Sequence, residues 1–301
     1  MAERLAPEQV TVLATSRPER PRGRKRRWGR RVVALIVSTA LIVAVSGATL
    51  HFLAIQRSAQ EIRATALVPT DLAANVLVVL ARPGQELPLA GTLAALDEAG
   101  ATVSLLSLTD GQAQPPELSV AGDRLGQVRA DELQSSAELL GIERVTTADY
   151  ADGSLLTADP SEVTSTIAAE IAEAGPTAIV TVSDASGTDT DSQAVAAYSL
   201  AAAQAEDSGV ARIWTVTRGD RETSWNEQLR APIGDGFPDA QVSIRIDDHT
   251  AIKGEVLTTH GTQSPDLVKG TYPYADQIPA WAYFRFWDRE YFALAWGTPL
   301  D

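Results

Sequence analysis

Cysteine is absent from the 301-residue chain, so neither disulfides nor thiolate metal sites contribute to its structure. The absence is compatible with an oxidising compartment without identifying one. Histidine is scarce as well. His51, His249 and His260 are the only three, which makes an imidazole-based zinc site hard to assemble. Basic residues are sparse beyond the first 31 positions. That segment carries ten Lys/Arg against three acids, net +7, whereas the other 270 residues carry 15 bases against 36 acids, net −21. A globular part this acidic excludes nucleic acid as its partner, because a phosphate backbone demands a basic face. What is plentiful is hydrophobic content, at 45%, enough for one full core. There is no internal repeat and no low-complexity tract beyond alanine richness.

The basic N-terminus precedes an apolar run. Residues 1–31 are polar, proline-bearing and aperiodic, and read as a disordered cytoplasmic tail. Val32 to Leu50 carries no charge, and Phe52-Leu53-Ala54-Ile55 extends the run past His51. About 20 apolar residues cross a hydrocarbon core, so residues 32–55 are expected to form a transmembrane helix. Arg26, Arg27, Arg30 and Arg31 lie just before it, which by the positive-inside rule puts the N-terminus in the cytoplasm and the globular part outside the cell membrane. A cleaved signal peptide has an apolar region of only about 7–15 residues followed by a small-residue cleavage site. Here Ser46-Gly47-Ala48 lies inside the run, which favours an uncleaved single-pass anchor. Residues 56–74 read as a stalk, with Arg57–Ala66 able to continue the helix until Pro69.

From residue 75 strand-like and helix-like segments alternate. Strands are expected at Val76–Leu80, Thr102–Leu108, Arg144–Thr147, Ala178–Val182 and Arg212–Thr217. Helices are expected at Leu89–Ala99, Leu125–Leu140, from Ser161 to Gly175, and at Ser192–Ala205. This order predicts an α/β, Rossmann-like domain over 75–301, with a mostly parallel sheet covered by helices on both faces. Residues 111–122, with Pro115-Pro116, read as an irregular loop. Further on, Gln241–Ile246 alternates like a strand and Thr250–Thr259 reads as a helix. Trp281–Phe286 and Tyr291–Trp296 look like a C-terminal β-hairpin extension. Its aromatic residues are either core or an exposed sugar-stacking or partner-binding face.

In such a sheet, ligands bind at the carboxyl ends of the strands. Three ends matter: Ala81–Glu86, Thr109–Gly111 and Ser183–Ser192. The first, Ala81-Arg82-Pro83-Gly84-Gln85-Glu86 after Val76–Leu80, resembles the Ala-His-Pro-Asp-Asp-Glu signature of the PIG-L/LmbE-like N-acetylglucosaminyl deacetylases. The resemblance covers about Asn75 to Gln263. It implies that the signature's histidine and second aspartate, both zinc ligands, fall at Arg82 and Gln85, and that its general base falls at Gly84. The family's later His-Pro-Asp-His is best matched by Asp189-Thr190-Asp191-Ser192. Ser192 then stands for the third zinc ligand and Asp189 for a catalytic histidine, and only Asp191 is kept.

The resemblance therefore implies a zinc hydrolase fold without its ligands. Zinc takes imidazole nitrogens or carboxylate oxygens at about 2.0–2.2 Å. Arg82 is a cation and cannot ligate, and Gly84 has no side chain to accept a proton. No cofactor is expected. Arg82 either pairs internally, with Glu86 or Asp191, and fills the metal pocket, or recognises a carboxylate or phosphate ligand. Arg129, in Val128-Arg129-Ala130-Asp131-Glu132-Leu133, matches a substrate-contacting arginine, unless it merely pairs with Glu132 along a helix. Asp110 and Asp152 match further positions, the latter within a common Asp-Gly turn. Lys253, His260 and Gln263 resemble a late Lys…His-x-x-Gln helix, in which His260 reads more readily as a packing residue than a catalyst. The oxygen-rich loop with Asp184, Asp189 and Asp191 suits calcium in composition, but its spacing matches no calcium loop. The candidate ligand-binding set is Arg82, Glu86, Asp110, Arg129, Asp152, Asp191 and His260. Three functions follow. The first is a catalytically silent domain binding an envelope glycan, a glycolipid or a protein partner. The second is a hydrolase with a rearranged site built on Glu86, Asp110 and Asp191. The third is a structural membrane scaffold.

Overall fold

The computed structural model describes residues 33, 35–39, 41, 42, 45, 59–68, 74–113, 122–183, 189–219, 238–263, 279–284 and 287–300. The chain divides into two compact units, Met1–Leu53 and Ala54–Asp301. The described residues of the first unit are helical, and they expose apolar side chains such as Leu35, Ile36, Leu41 and Ile42. No helix among the described residues is long and apolar enough to cross a membrane. Most of the span expected at 32–55, and the whole tail before it, lies outside them.

The second unit is a mixed α/β fold around one eight-stranded sheet. The strands are β1 (Gln60–Ile62), β2 (Asn75–Leu80), β3 (Thr102–Thr109), β4 (Arg144–Tyr150), β5 (Ala178–Val182), β6 (Arg212–Thr217), β7 (Val242–Arg245) and β8 (Arg289–Gly297). The principal helices are α1 (Ala90–Glu98), α2 (Gly122–Leu139), α3 (Pro160–Ala174), α4 (Thr190–Ala203) and α5 (Thr250–Thr259), followed by a single turn, α6 (Ala280–Tyr283). The strand order is β1-β7-β8-β6-β5-β2-β3-β4. Every pairing is parallel except those of β8, which runs against both β6 and β7.

The Val-Leu-Val-Val-Leu run of β2 explains why it lies at the centre. Its side chains alternate between two cores, which suits a strand buried on both faces. Val76, Val78 and Leu80 join a cluster with Leu93 and Leu96 of α1, Leu133 of α2 and Val256 of α5. Leu77 and Val79 join Val163, Ile167 and Ile171 of α3 and Val195 of α4 on the other face. Local signals start and stop the helices where the sequence marks them. Asp159 caps α3 by accepting from the Ser161 N–H at 2.8 Å, and Gly175 ends it at φ +55°.

Two expectations fail. The segment taken as stalk is partly built into the domain. Gln60–Ile62 pairs with β7, and Leu67 is fully buried, its carbonyl accepting from Trp214 Nε1 at 2.8 Å. The C-terminal hairpin is also absent as drawn. Ala280–Tyr283 is a helical turn, and Tyr291–Trp296 belongs to a strand inserted between β6 and β7. The alternation of aromatic residues fits a strand or a short helix equally well over so few residues. Tyr283, Phe284, Tyr291 and Phe292 are core residues, and Phe286 lies outside the described residues.

One buried ion pair joins this strand to α5, and its carboxylate also holds the start of α1. Glu290, at the start of β8, accepts from the Gly91 and Thr92 N–H groups of α1 at 3.0 and 2.7 Å. Lys253 of α5 donates to Glu290 at 2.7 Å and to the Pro88 carbonyl at 3.1 Å. The carboxylate thus meets two unpaired donors at a helix start. Glu290→Ala strands the lysine charge in the core, and is expected to cost about 3–5 kcal/mol. Urea unfolding checks this, and a loss below about 1 kcal/mol is the contrary result.

Candidate functional site at the carboxyl ends of β2 and β5

Chain order reverses beside β2, since β3 and β4 lie to one side and β5 and β6 to the other. The carboxyl ends of β2 and β5 therefore flank the crevice where open α/β sheets bind ligands. The turn after β2 supplies Arg82, Gly84, Gln85 and Glu86. The start of α4, which follows β5, supplies Asp189, Asp191 and Ser192.

Arg82 meets Asp189 in a two-pronged contact, with its two terminal nitrogens 3.1 and 2.5 Å from the two carboxylate oxygens. Gln85 accepts from the Ala81 and Arg82 N–H groups at 2.8 and 3.2 Å. Its amide nitrogen lies 2.7 Å from Ser192 Oγ and 3.3 Å from Asp189 Oδ2. Ser192 Oγ donates to Asp189 at 2.7 Å, and Asp189 caps α4 by accepting from the Ser192 N–H at 3.2 Å. Burial alone would push Asp189 up, but the Arg82 guanidinium holds its carboxyl below the usual range. Arg82 is shifted upward by the same contact, with Asp152 and Asp191 adding to the attraction, against its burial.

The partner of Arg82 is therefore Asp189, and not Glu86 or Asp191. A sequence signal for this existed. Asp189-Thr190-Asp191-Ser192 ahead of an apolar helix is an N-cap pattern, which places Asp189 at the mouth of the crevice. The calcium-loop idea loses two of its members, because Asp189 and Asp191 are both engaged, while Asp184 lies outside the described residues. Asp191 accepts from the Gly153 and Leu155 N–H groups at 2.7 and 3.0 Å, tying the segment after β4 to α4. Burial pushes its carboxyl up, and Asp152 and Asp189 add to the push.

Glu86 belongs to a second, buried polar cluster. It is fully buried, accepts from the Gly84 N–H at 2.9 Å, and pairs with His260 Nε2 at the end of α5. His260 Nδ1 lies 3.3 Å from Gln263 Nε2 and 4.0 Å from Glu132 of α2. Glu132 is engaged with Thr262, accepting at 2.8 Å from its N–H and at 2.6 Å from its hydroxyl. Arg129 is buried and donates to the Gly111 carbonyl. Asp110 accepts from the Gln112 N–H at 3.0 Å. Asp152 accepts from the Ala113 N–H at 3.1 Å and lies 3.4 Å from the Thr109 hydroxyl. Of the seven candidates, Arg82, Asp152 and Asp191 share the crevice electrostatically, Glu86, Arg129 and His260 interact in a buried cluster, and Asp110 bonds within its own loop.

Gly84 has φ +90°, and a Cβ there would come within 2.6 Å of Gln263 Oε1. The backbone at this position is one that side-chain-bearing residues rarely adopt, and Gln263 fills the space beside it. Among the described residues, no three His, Asp or Glu side chains are grouped to hold a metal ion.

The arrangement is that of an α/β domain with its polar crevice at the switch point. Residues 77–205 match the GlcNAc-PI de-N-acetylase (PIG-L) family. Among solved structures, it is similar to the N,N'-diacetylchitobiose deacetylase of Pyrococcus horikoshii at 21% identity and TM-score 0.53, over 75% of this chain and 85% of that one. The conserved protein TT1542 of Thermus thermophilus gives 18% and 0.55, over 76% and 97%. The 4-carboxy-2-hydroxymuconate hydratase of Pseudomonas putida KT2440 gives 13% and 0.55, over 75% and 98%. At these identities the likeness is one of fold. Compared with the curated proteins, the sequence has no match.

The Glu86–His260 pair makes stability depend on pH with a definite sign. Burial opposes both charges, raising Glu86 and lowering His260, but their mutual attraction wins, leaving Glu86 below 4.5 and His260 above 6.5. Glu132 reinforces the His260 charge and Arg129 opposes it. The Glu86 contribution is complete above pH 4.5 and lost as pH falls through its lowered value. The His260 contribution is complete below pH 6.5 and lost as pH rises through its raised value. Wild type is thus expected to exceed His260→Gln in unfolding free energy by most between pH 4.5 and 6.5. Urea midpoints across pH check this, and a flat difference contradicts it.

Proposed function

We propose that the chain is a single-pass, membrane-anchored PIG-L domain facing away from the cytoplasm, without zinc chemistry, that binds an envelope glycan or the sugar of a glycolipid. The carrying observation is the closed network of Arg82, Gln85, Asp189 and Ser192. Arg82, Gln85 and Ser192 stand where the PIG-L resemblance implies zinc ligands, and Asp189 where it implies a catalytic histidine, yet they spend their hydrogen-bonding groups on one another. Arg82 brings a positive charge that repels a metal ion, and the two neutral side chains are weak donors. Gly84 supplies no base, and its positive φ is one that side-chain-bearing residues rarely adopt. No hydrolytic step is derived through zinc on such a donor set. Anchoring rests on the uncharged run at 32–55 behind Arg26, Arg27, Arg30 and Arg31.

The charges also bear on the ligand. Arg82 is neutralised by Asp189, with Asp152 and Asp191 close by, so a phosphate or carboxylate meets a crevice of net negative charge. An uncharged sugar, recognised through its hydroxyls, fits better. A rearranged hydrolase built on Glu86, Asp110 and Asp191 has little support, since each carboxylate already accepts structural hydrogen bonds. A protein partner is the remaining class.

The purified chain is expected to release no acetate from N-acetylglucosaminyl compounds with zinc added, and to bind glycan-bearing vesicles saturably in EDTA. Acetate release that scales with protein and zinc contradicts the proposal. Binding to a captured protein with none to glycans moves the assignment to the partner class.

A further inference from the structure

We propose that the Arg82 guanidinium is the built-in counter-ion of the crevice, doing the structural work of a bound cation by holding the turn after β2 to the start of α4. This rests on the reading that the site takes no zinc. Three carboxylates from two segments act on this one guanidinium: Asp189 in direct contact, with Asp152 and Asp191 at longer range. The acids also feel one another, since Asp152 and Asp189 both push Asp191 upward. Among the described residues, Arg129 donates to the Gly111 carbonyl and Lys253 to Glu290 and the Pro88 carbonyl. Arg82 and Asp189 remain largely shielded, at 17% and 22% side-chain exposure, so water replaces the lost attraction only in part.

The guanidinium meets a single, well-held carboxylate. Both oxygens of Asp189 face Arg82, while Gln85 and Ser192 donate to the same carboxylate and hold it in place. The contact spans the switch point, from the end of the central strand to the first turn of the helix after its neighbour. Without the guanidinium, the crevice becomes oxygen-rich and negatively charged, which is the chemistry of a hard divalent cation. A cation supplied from solution is then expected to restore what the side chain provided.

Thermal unfolding of the full chain in mild detergent tests this. Wild type is expected to unfold at the same temperature in EDTA and in millimolar calcium or magnesium chloride. Arg82→Ala is expected to unfold about 3–8 °C lower in EDTA and to regain most of that loss in calcium. A wild-type midpoint that falls in EDTA overturns both this inference and the zinc-free reading beneath it. An Arg82→Ala midpoint equal to wild type, or equally low with and without calcium, overturns this inference alone. Should Arg82→Ala fail to fold, Arg82→Lys keeps the charge but gives up the two-pronged contact. It is expected to lose less and to show no response to calcium, and a calcium response in it overturns the inference.

Discussion

The contact between Arg82 and Asp189 constrains everything around it, because it closes the crevice at the point where the sheet reverses its winding order. Gln85 and Ser192 are oriented by the same carboxylate, and Asp189 also caps α4. One carboxylate therefore serves a cation, a hydroxyl and a helix start at once. Behind it, Gly84 can turn as it does only because it lacks a side chain. Its N–H is held by Glu86, which is in turn held by His260 at the far end of α5. The crevice and its buried support thus form two adjoining polar layers, linked through the short turn after β2.

Much of the fold was readable from the residues. Ala178–Val182 and Arg212–Thr217 are strands at the expected bounds, and the expected helices fall within a few residues of α1 to α5. Apolar runs of five or six bounded by glycine, proline or a capping aspartate leave few alternatives. The failures share one cause. Gln60–Ile62 and Arg289–Gly297 gain their structure from distant partners, β7 for the first and β6 with β7 for the second. Local periodicity carries no information about such long-range pairing. The buried Lys253–Glu290 pair, which ties β8 to α5 across the fold, is unreadable for the same reason.

The site was partly readable. The departures from the family signature at Arg82, Gly84 and Gln85 are visible in the residues alone. Which acid would neutralise Arg82 was a question of distance in space, and Asp189 wins because the cap of α4 faces the end of β2. The role of Gln263 was beyond reach altogether, since it depends on the positive φ of Gly84 and the empty space that goes with it.

On the reading proposed above, the sheet and crevice are kept while side chains take over a metal's role. The most direct test of that claim is the metal content of the full wild-type chain after dialysis against trace zinc. The account predicts zinc far below one ion per chain. Close to one zinc per chain, lost when Asp189 or Asp191 is replaced, would contradict it.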